Sequence, residues 1–298
     1  MTNRISISAV TDAGKEREGN EDAFIFRPDL SQRQTHEGGS QSTGGFADMG
    51  PWGSVIIVAD GMGGANAGEV ASDIATHSVM AFLSDSRKEE PGTSPADTGK
   101  AVQTLKDAIA KAEADINAYV CAHPETCGMG TTIVTAWIIG GKALVAWCGD
   151  SRCYVYNPSE GLRRLTKDHS LVQQMVDRGD ITEEEAFSHP DNNIITKGLG
   201  DFDTAAAADT VVHTLSPSDM LLLCSDGLCG YCTDADMGRT LAKGYPDTNA
   251  CRDALLRMAL DAGGCDNICI AVAATDGAEA GSPTRTSLLR RLKNVFCD

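Results

Sequence analysis

The sequence predicts an α+β protein built on antiparallel sheet, and three observations carry that prediction. Strand-like runs are grouped with strand-like runs and helical stretches with helical stretches, without the alternation a βαβ array would show. Gly140-Gly141 lies between two apolar runs, as a hairpin turn does. Nothing marks a mid-chain linker, and 298 residues with 42% hydrophobic content suffice for one full core. The expectation is therefore one domain over residues 1–275 and a tail of different character over 276–298.

Along the chain, Ile5, Ile7 and Ala9 alternate with Ser6 and Ser8, as in a strand over residues 4–10. Residues 22–26 read as a second strand pairing with the first and 54–59 as a third, with the polar, Gly-rich stretch 27–53 as a long mobile hairpin loop on the surface. The period then becomes helical. Val70, Ala71, Ile74, Ala75 and Phe82 share a face, and Asn66 and Glu69 have capping-box spacing.

A polar interval over 84–99, containing Pro91 and Pro95, separates this helix from an antiparallel neighbour carrying Val102, Leu105, Ile109, Ala112 and Ile116. Strands return at 132–139, 143–147 and 153–156. Residues 170–200 look helical and polar, with a stop at Gly179 and a second capping pattern from Thr182 to Glu185; a flap beside a substrate is a natural use for them. A strand at 220–224, a helix with Ala254, Leu255, Met258 and Ala259, and a strand at 268–273 complete the core.

In the tail, Leu288, Leu289, Leu292, Val295 and Phe296 oppose Arg290, Arg291 and Lys293. This short basic amphipathic helix could dock on its own domain or a copy of it, on a protein partner, or on a membrane surface.

The formal net charge of −17 argues against nucleic acid as a partner, since phosphate-backbone binding needs a basic face. No apolar run is long enough to span a membrane and no signal-like segment opens the sequence, so the expectation is a soluble, cytoplasmic, monomeric protein. The eleven cysteines lack a zinc-like double CxxC and mostly lie in apolar runs, which reads as reduced core residues. Cys229-Gly230-Tyr231-Cys232 has redox spacing without a thioredoxin-like context and is read the same way.

Acidic residues recur at the ends of the apolar runs. Residues 55–59 lead into Asp60-Gly61, 143–149 into Asp150, 220–225 into Asp226-Gly227, and Asp266-Asn267 precedes 268–272. Carboxylates brought together at strand mouths repel one another unless a cation sits between them. Mg²⁺ and Mn²⁺ suit such a site, because they take oxygen ligands and keep several waters. Asp60 is placed to bridge two ions, with the Gly61 carbonyl unobstructed beside it. Two ions about 3.5–4 Å apart would acidify a shared water for in-line attack on phosphorus. Arg17, shortly before Glu21-Asp22, offers the planar fork that holds two phosphate oxygens at once.

The segments Arg17-Glu18-Gly19-Asn20-Glu21-Asp22, Ala59-Asp60-Gly61-Met62-Gly63-Gly64, Gly130-Thr131-Thr132, Gly149-Asp150-Ser151-Arg152, Thr166-Lys167-Asp168-His169-Ser170, Ser225-Asp226-Gly227-Leu228 and Asp266-Asn267 together resemble the ordered motif set of the metal-dependent protein phosphatases of the 2C type. The resemblance runs over about residues 5–274. It implies a four-layer α-β-β-α sandwich of two antiparallel sheets flanked by helix pairs, with metals in a cleft at one edge. It also implies that Asp60 bridges two Mn²⁺ or Mg²⁺ ions, that the Gly61 carbonyl binds one, and that Asp226 and Asp266 complete the other. Glu21 and Asp22 would act mainly through water on the metals, Arg17 would clamp the substrate phosphate, and Asp150 with Asp226 would hold a third, weaker ion. Arg17, Asp60 and Asp226 would thus form the catalytic set.

Met62 departs from the animal members, which carry a His there as proposed general acid, and is similar to the bacterial branch. A thioether cannot donate a proton, so another group must serve the leaving oxygen. His169 is read as structural or flap-anchoring.

The implied activity is hydrolysis of phosphoserine and phosphothreonine monoesters in proteins, the substrates of a cognate Ser/Thr kinase, without a phosphoenzyme. The alternatives are a pseudophosphatase that binds phosphoproteins or regulates a kinase, and a metal phosphohydrolase acting on small molecules or on nucleic acid, the latter disfavoured by the net charge.

Overall fold

The computed structural model describes residues 4–43, 45–63, 67–89, 97–202 and 207–276. The expected tail helix, and Asn66 of the first capping box, lie outside the described residues. Strands β1 (Arg4–Asp12) and β2 (Asp22–Arg27) are followed by three short ones, β3 (His36–Glu37), β4 (Ser40–Ser42) and β5 (Ala47–Asp48), and then by β6 (Ser54–Met62). Helices α1 (Ala67–Glu89) and α2 (Thr98–Ala122) lead to β7 (Gly130–Thr131), β8 (Ile133–Ile139), β9 (Lys142–Cys148), β10 (Arg152–Asn157) and β11 (Gly161–Arg164). The short pair α3 (Leu171–Arg178) and α4 (Glu183–Phe187) precedes β12 (Leu199–Gly200), β13 (Asp209–Thr214) and β14 (Met220–Cys224). Helices α5 (Asp226–Cys229), α6 (Asp234–Gly244) and α7 (Thr248–Asp261) bring the chain to β15 (Ile268–Thr275).

All strand pairings are antiparallel, and they form two sheets. One runs β11-β10-β14-β15-β1-β4 with β5 also on β1; the other runs β12-β7-β6-β8-β9-β13, with β2 on β6 and β3 on β2. The period of two along each strand divides its side chains between two cores. On β6, Val55 and Ile57 face the helices α1 and α2, while Ile56 and Val58 meet the other sheet. On β15, Cys269, Ala271 and Ala273 meet the opposing sheet, while Ile268, Ile270, Val272 and Ala274 pack beneath α6 and α7.

Every central strand is therefore buried on both faces, which is why it reads as an unbroken apolar run and not as an alternation. The result is the expected four-layer sandwich with three apolar layers. No helix among the described residues is long and apolar enough to cross a membrane.

Three expectations are corrected. Residues 22–26 do not pair with 4–10: β2 runs against β6 in one sheet, while β1 lies between β15 and β4 in the other. The stretch 27–53 is not a simple surface loop, because β3 extends the sheet of β2 while β4 and β5 add to that of β1. It crosses from the sheet of β2 to that of β1 and back to β6, and this crossover is anchored by Leu30 and Trp52 in the core under α1 and α2. Helix α1 also continues to Glu89, past the polar interval expected to begin at Ser84.

Ser6 and Ser8 of β1 are buried beneath α7, bonded to Thr248 and Asn249, and the Arg252 guanidinium donates to Ser8 Oγ at 2.6 Å. The polar half of the strand is thus spent on docking a helix.

Trp137 on β8 is 1% exposed and donates from Nε1 to the Trp52 carbonyl at 2.7 Å, tying the crossover to the α1/α2 core. Trp137→Ala is expected to destabilise the fold by about 3–5 kcal/mol, the usual cost of truncating a buried aromatic. Urea unfolding should show a lower midpoint with an unchanged slope.

Candidate metal centre and active site

The two sheets abut at one edge, and the strand-end carboxylates gather there. Asp22 and Asp60 are direct partners across the β2/β6 ladder in one sheet. Asp226 follows β14 and Asp266 precedes β15, neighbours in the other sheet. Asp150 lies between β9 and β10, where the chain passes from one sheet to the other.

Close backbone approach makes this convergence possible. A Cβ on Gly61 would stand 2.2 Å from the Gly68 carbonyl oxygen and 2.7 Å from that of Glu21. One on Gly227 would stand 1.9 Å from the Asn267 carbonyl oxygen. Glycine after each aspartate is therefore a steric requirement, beyond leaving the Gly61 carbonyl open.

Several positioning residues were quoted within the sequence motifs without a role. Asn267 accepts from Glu21 N–H at 2.8 Å and donates to the Ala13 and Gly19 carbonyls at 3.0 and 2.8 Å, holding the loop that carries Arg17. Ser225 Oγ donates to Asp22 Oδ2 at 2.7 Å and accepts from Cys269 N–H at 2.9 Å, a link between the sheets. Thr131 and Thr132 fix the backbone of Asp60 from the other side. The Glu21 carboxylate lies over the first turn of α1, bonded to the Gly68 N–H. Glu21 therefore caps a helix as well as flanking the site.

Burial pushes Asp60, Asp22 and Asp150 well above the usual carboxylate range, and repulsion among neighbouring aspartates adds to it. Asp226 is raised by burial and by Asp266, with Asp60 and the Arg152 and Arg17 charges pulling the other way. Asp22 Oδ1 and Asp150 Oδ1 are buried with no hydrogen-bond partner. Buried, mutually repelling carboxylates with orphaned oxygens fit divalent cations.

Among the described residues no three Asp, Glu, His or Cys side chains close around one point as a preformed cage.

Arg17 is half exposed and pairs with Asp266 at 2.9 Å, which raises its pKa further. Clamp and carboxylate thus hold each other. Beside them opens a cavity of about 1010 Å³ that reaches Asp150, Asp226, Asp266 and the α3/α4 flap.

Below the flap, Arg152 grips Asp168 through Nε at 3.0 Å and Nη2 at 2.6 Å, and Arg164 approaches the same carboxylate at 3.5 Å. His169 Nδ1 accepts from Gly149 N–H at 3.0 Å, Nε2 meets Asp209 at 3.1 Å, and the ring stacks on Trp147. Both ring nitrogens are engaged in holding the flap's root, so His169 is an anchor in this arrangement. Cys229 and Cys232 are buried free thiols, Cys229 Sγ donating to the Ser225 carbonyl at 3.4 Å, and burial raises the Cys232 thiol to about 11.

The chain matches protein phosphatase 2C over residues 45–255. It is 35% identical over 257 residues to the serine/threonine phosphatase stp of Listeria monocytogenes, covering 86% of this chain and 97% of the relative. The structure of serine/threonine phosphatase Stp1 from Staphylococcus aureus superposes with a TM-score of 0.74 at 32% identity, over 93% of this chain and 96% of that one. The catalytic domain of PstP, solved with two manganese ions, superposes with a TM-score of 0.69 at 29% identity, over 91% and 98% of the two chains. A two-sheet sandwich with an acidic edge thus defines a phosphatase class. The chain belongs to the protein phosphatase 2C family and is a serine/threonine phosphatase.

The raised carboxyls set the pH dependence of the metal-free fold. Their folded pKa lies above the unfolded value of about 4, so the native state binds more protons in between and stability falls as pH rises through that window. In EDTA, Tm is expected to fall as pH increases above about 4, and Asp60→Asn is expected to flatten the slope and raise Tm at neutral pH, each kcal/mol shifting it by roughly 2–4 °C. Scanning calorimetry in EDTA checks this, and an Asp60→Asn protein less stable than wild type at pH 8 would contradict it.

Proposed function

We propose that this phosphatase hydrolyses phosphoserine and phosphothreonine in proteins with Mn²⁺ or Mg²⁺ held by its sheet-edge carboxylates. The observation that carries the reading is the buried set Asp22, Asp60, Asp150 and Asp226, raised in pKa by burial and mutual repulsion. Asp60, the Gly61 carbonyl, Asp226 and Asp266 would hold two core ions, with Asp22 and Glu21 contributing through water and Asp150 with Asp226 holding a third, weaker one. When bound, such ions supply positive charge to the phosphoryl oxygens and acidify the attacking water.

The chain's own residues do the rest. Arg17 leaves its pairing with Asp266 to fork two phosphate oxygens, holding the ester in line. Asn267 keeps the Arg17 loop at a fixed height above the carboxylates, and Ser225 keeps Asp22 oriented towards them. Met62 offers no proton, and the engaged nitrogens of His169 offer none in this arrangement, so the leaving oxygen takes its proton from water on the metals or from another group.

Residues 1–275 form the catalytic unit and 276–298 a tail outside the chemistry. A cytoplasmic monomer acting on the products of a Ser/Thr kinase completes the reading. An intact carboxylate set supports catalysis over a binding-only pseudophosphatase.

Purified protein is expected to hydrolyse p-nitrophenyl phosphate and a phosphothreonine peptide only with added Mn²⁺ or Mg²⁺. Asp226→Asn should lower kcat by roughly 100-fold or more, because Lewis-acid stabilisation amounts to several kcal/mol and each 1.4 kcal/mol is about tenfold. Arg17→Ala should lower kcat/KM by about 10–100-fold, with Arg17→Lys restoring part of it. Metal-independent turnover, or full activity in Asp226→Asn, sinks the mechanism.

A further inference from the structure

The cavity beside the carboxylates is larger than the reaction requires. Its 1010 Å³ matches the upper end of the ~300–1,000 Å³ that encloses a whole small-molecule ligand. A phosphorylated side chain would fill a fraction of it. Arg17 marks the reacting end, the flap lines the far wall with Val176, Glu183, Glu184 and Phe187, and Tyr231 lines it from just beyond α5.

What these walls present is specific. Four large hydrophobic side chains are exposed among the described residues, and two of them, Phe187 at 38% and Tyr231 at 41%, line this one cavity. Aromatic rings left open to water on two walls of a cleft that continues from a reacting centre point to a ligand that covers them. The charge beside them is also unbalanced. Arg152 and Arg164, in the same cavity, are committed to Asp168, whereas Glu183 and Glu184 are exposed with no cation in ion-pair range among the described residues.

We propose that the cavity reads the residues flanking the phosphorylated one, taking an apolar side chain against Phe187 and Tyr231 and a basic side chain against Glu183 or Glu184. The proposal rests on the phosphatase reading above and narrows its substrates to phosphosites in basic, apolar surroundings. Phosphate attraction stays local to Arg17 and the carboxylate edge, so the flap wall can select positive neighbours without repelling the reacting group from its clamp. The exposed charge pairs act through water and weaken with salt, whereas the aromatic contact does not.

The test uses the full chain with Mn²⁺ and four substrates: p-nitrophenyl phosphate and three phosphothreonine peptides of equal length, flanked by Arg and Leu, by Glu and Leu, or by Ala alone. The Arg/Leu peptide should exceed the Glu/Leu peptide in kcat/KM by about fivefold at low salt, with the gap narrowing at high salt. The double substitution Glu183→Gln, Glu184→Gln should close most of that gap. Phe187→Ala should lower kcat/KM for the Arg/Leu peptide by about tenfold relative to p-nitrophenyl phosphate, with Phe187→Tyr restoring it. Equal turnover of the three peptides by the wild type, or a gap that persists in the double variant, overturns the proposal. Hydrolysis of p-nitrophenyl phosphate without peptide discrimination overturns this proposal alone, and a protein inactive on all four substrates overturns the phosphatase reading beneath it.

Discussion

Like-charged carboxylates from two different sheets meet at one edge of the sandwich, and the remaining architecture keeps them there. Asp22 and Asp60 arrive on paired strands of one sheet, Asp226 and Asp266 on adjoining ends of the other. Their mutual repulsion would drive the sheets apart if nothing opposed it. Opposing it are the apolar layer between the sheets, including Ile56, Val58, Leu221, Leu223 and Ala271, and the Ser225 bridge from Asp22 to the Cys269 backbone. Each buried aliphatic side chain of that layer contributes about 1.5–3 kcal/mol to holding the sheets together. Function here sets a stability requirement that the core satisfies.

Proton and metal compete for the same oxygens. Burial and repulsion from neighbouring aspartates raise Asp60 well above the usual carboxylate range, so proton uptake relieves part of the charge that a cation would. Arg17 does another part by pairing with Asp266. A cation held there would stand in for both, leaving the Arg17 guanidinium, which lines the same cavity, to meet a phosphate. An acidic protein can in this way present positive charge to a phosphate at one point of its surface.

Much of this was legible in the sequence, for a physical reason. Strands buried on both faces give uninterrupted apolar runs, so β6, β8, β9, β14 and β15 announced themselves, and so did the aspartates that break the runs. The elements that escaped have weak burial signals. Helix α6 holds two glycines and buries only Met237 and Leu241, and the edge strand β13 buries none of its six residues. The pairing of β2 was misjudged because sequence adjacency favours a hairpin with β1. Nothing local in residues 27–53 says that they cross between sheets; only the cores under Leu30 and Trp52 decide it. The supporting roles of Asn267, Ser225 and Thr132 were equally hidden, because each is defined by a partner 19 to 246 residues away.

The flap separates recognition from chemistry without uncoupling them. Its outer face, turned to the cavity, carries Phe187, Glu183 and Glu184, while its root is locked to the sheet by Asp168 between Arg152 and Arg164 and by His169 on Gly149. Asp168 and Arg152 are both largely buried, so breaking one leaves the other's charge unpaired in the interior, a larger loss than any exposed pair on the flap surface could cause. Substitutions on the outer face can therefore change which peptides fit while the root preserves the distance to Asp150, next in chain to the Ser151-Arg152 step. Selectivity can drift on this scaffold because the carboxylate edge does not depend on the residues that do the selecting.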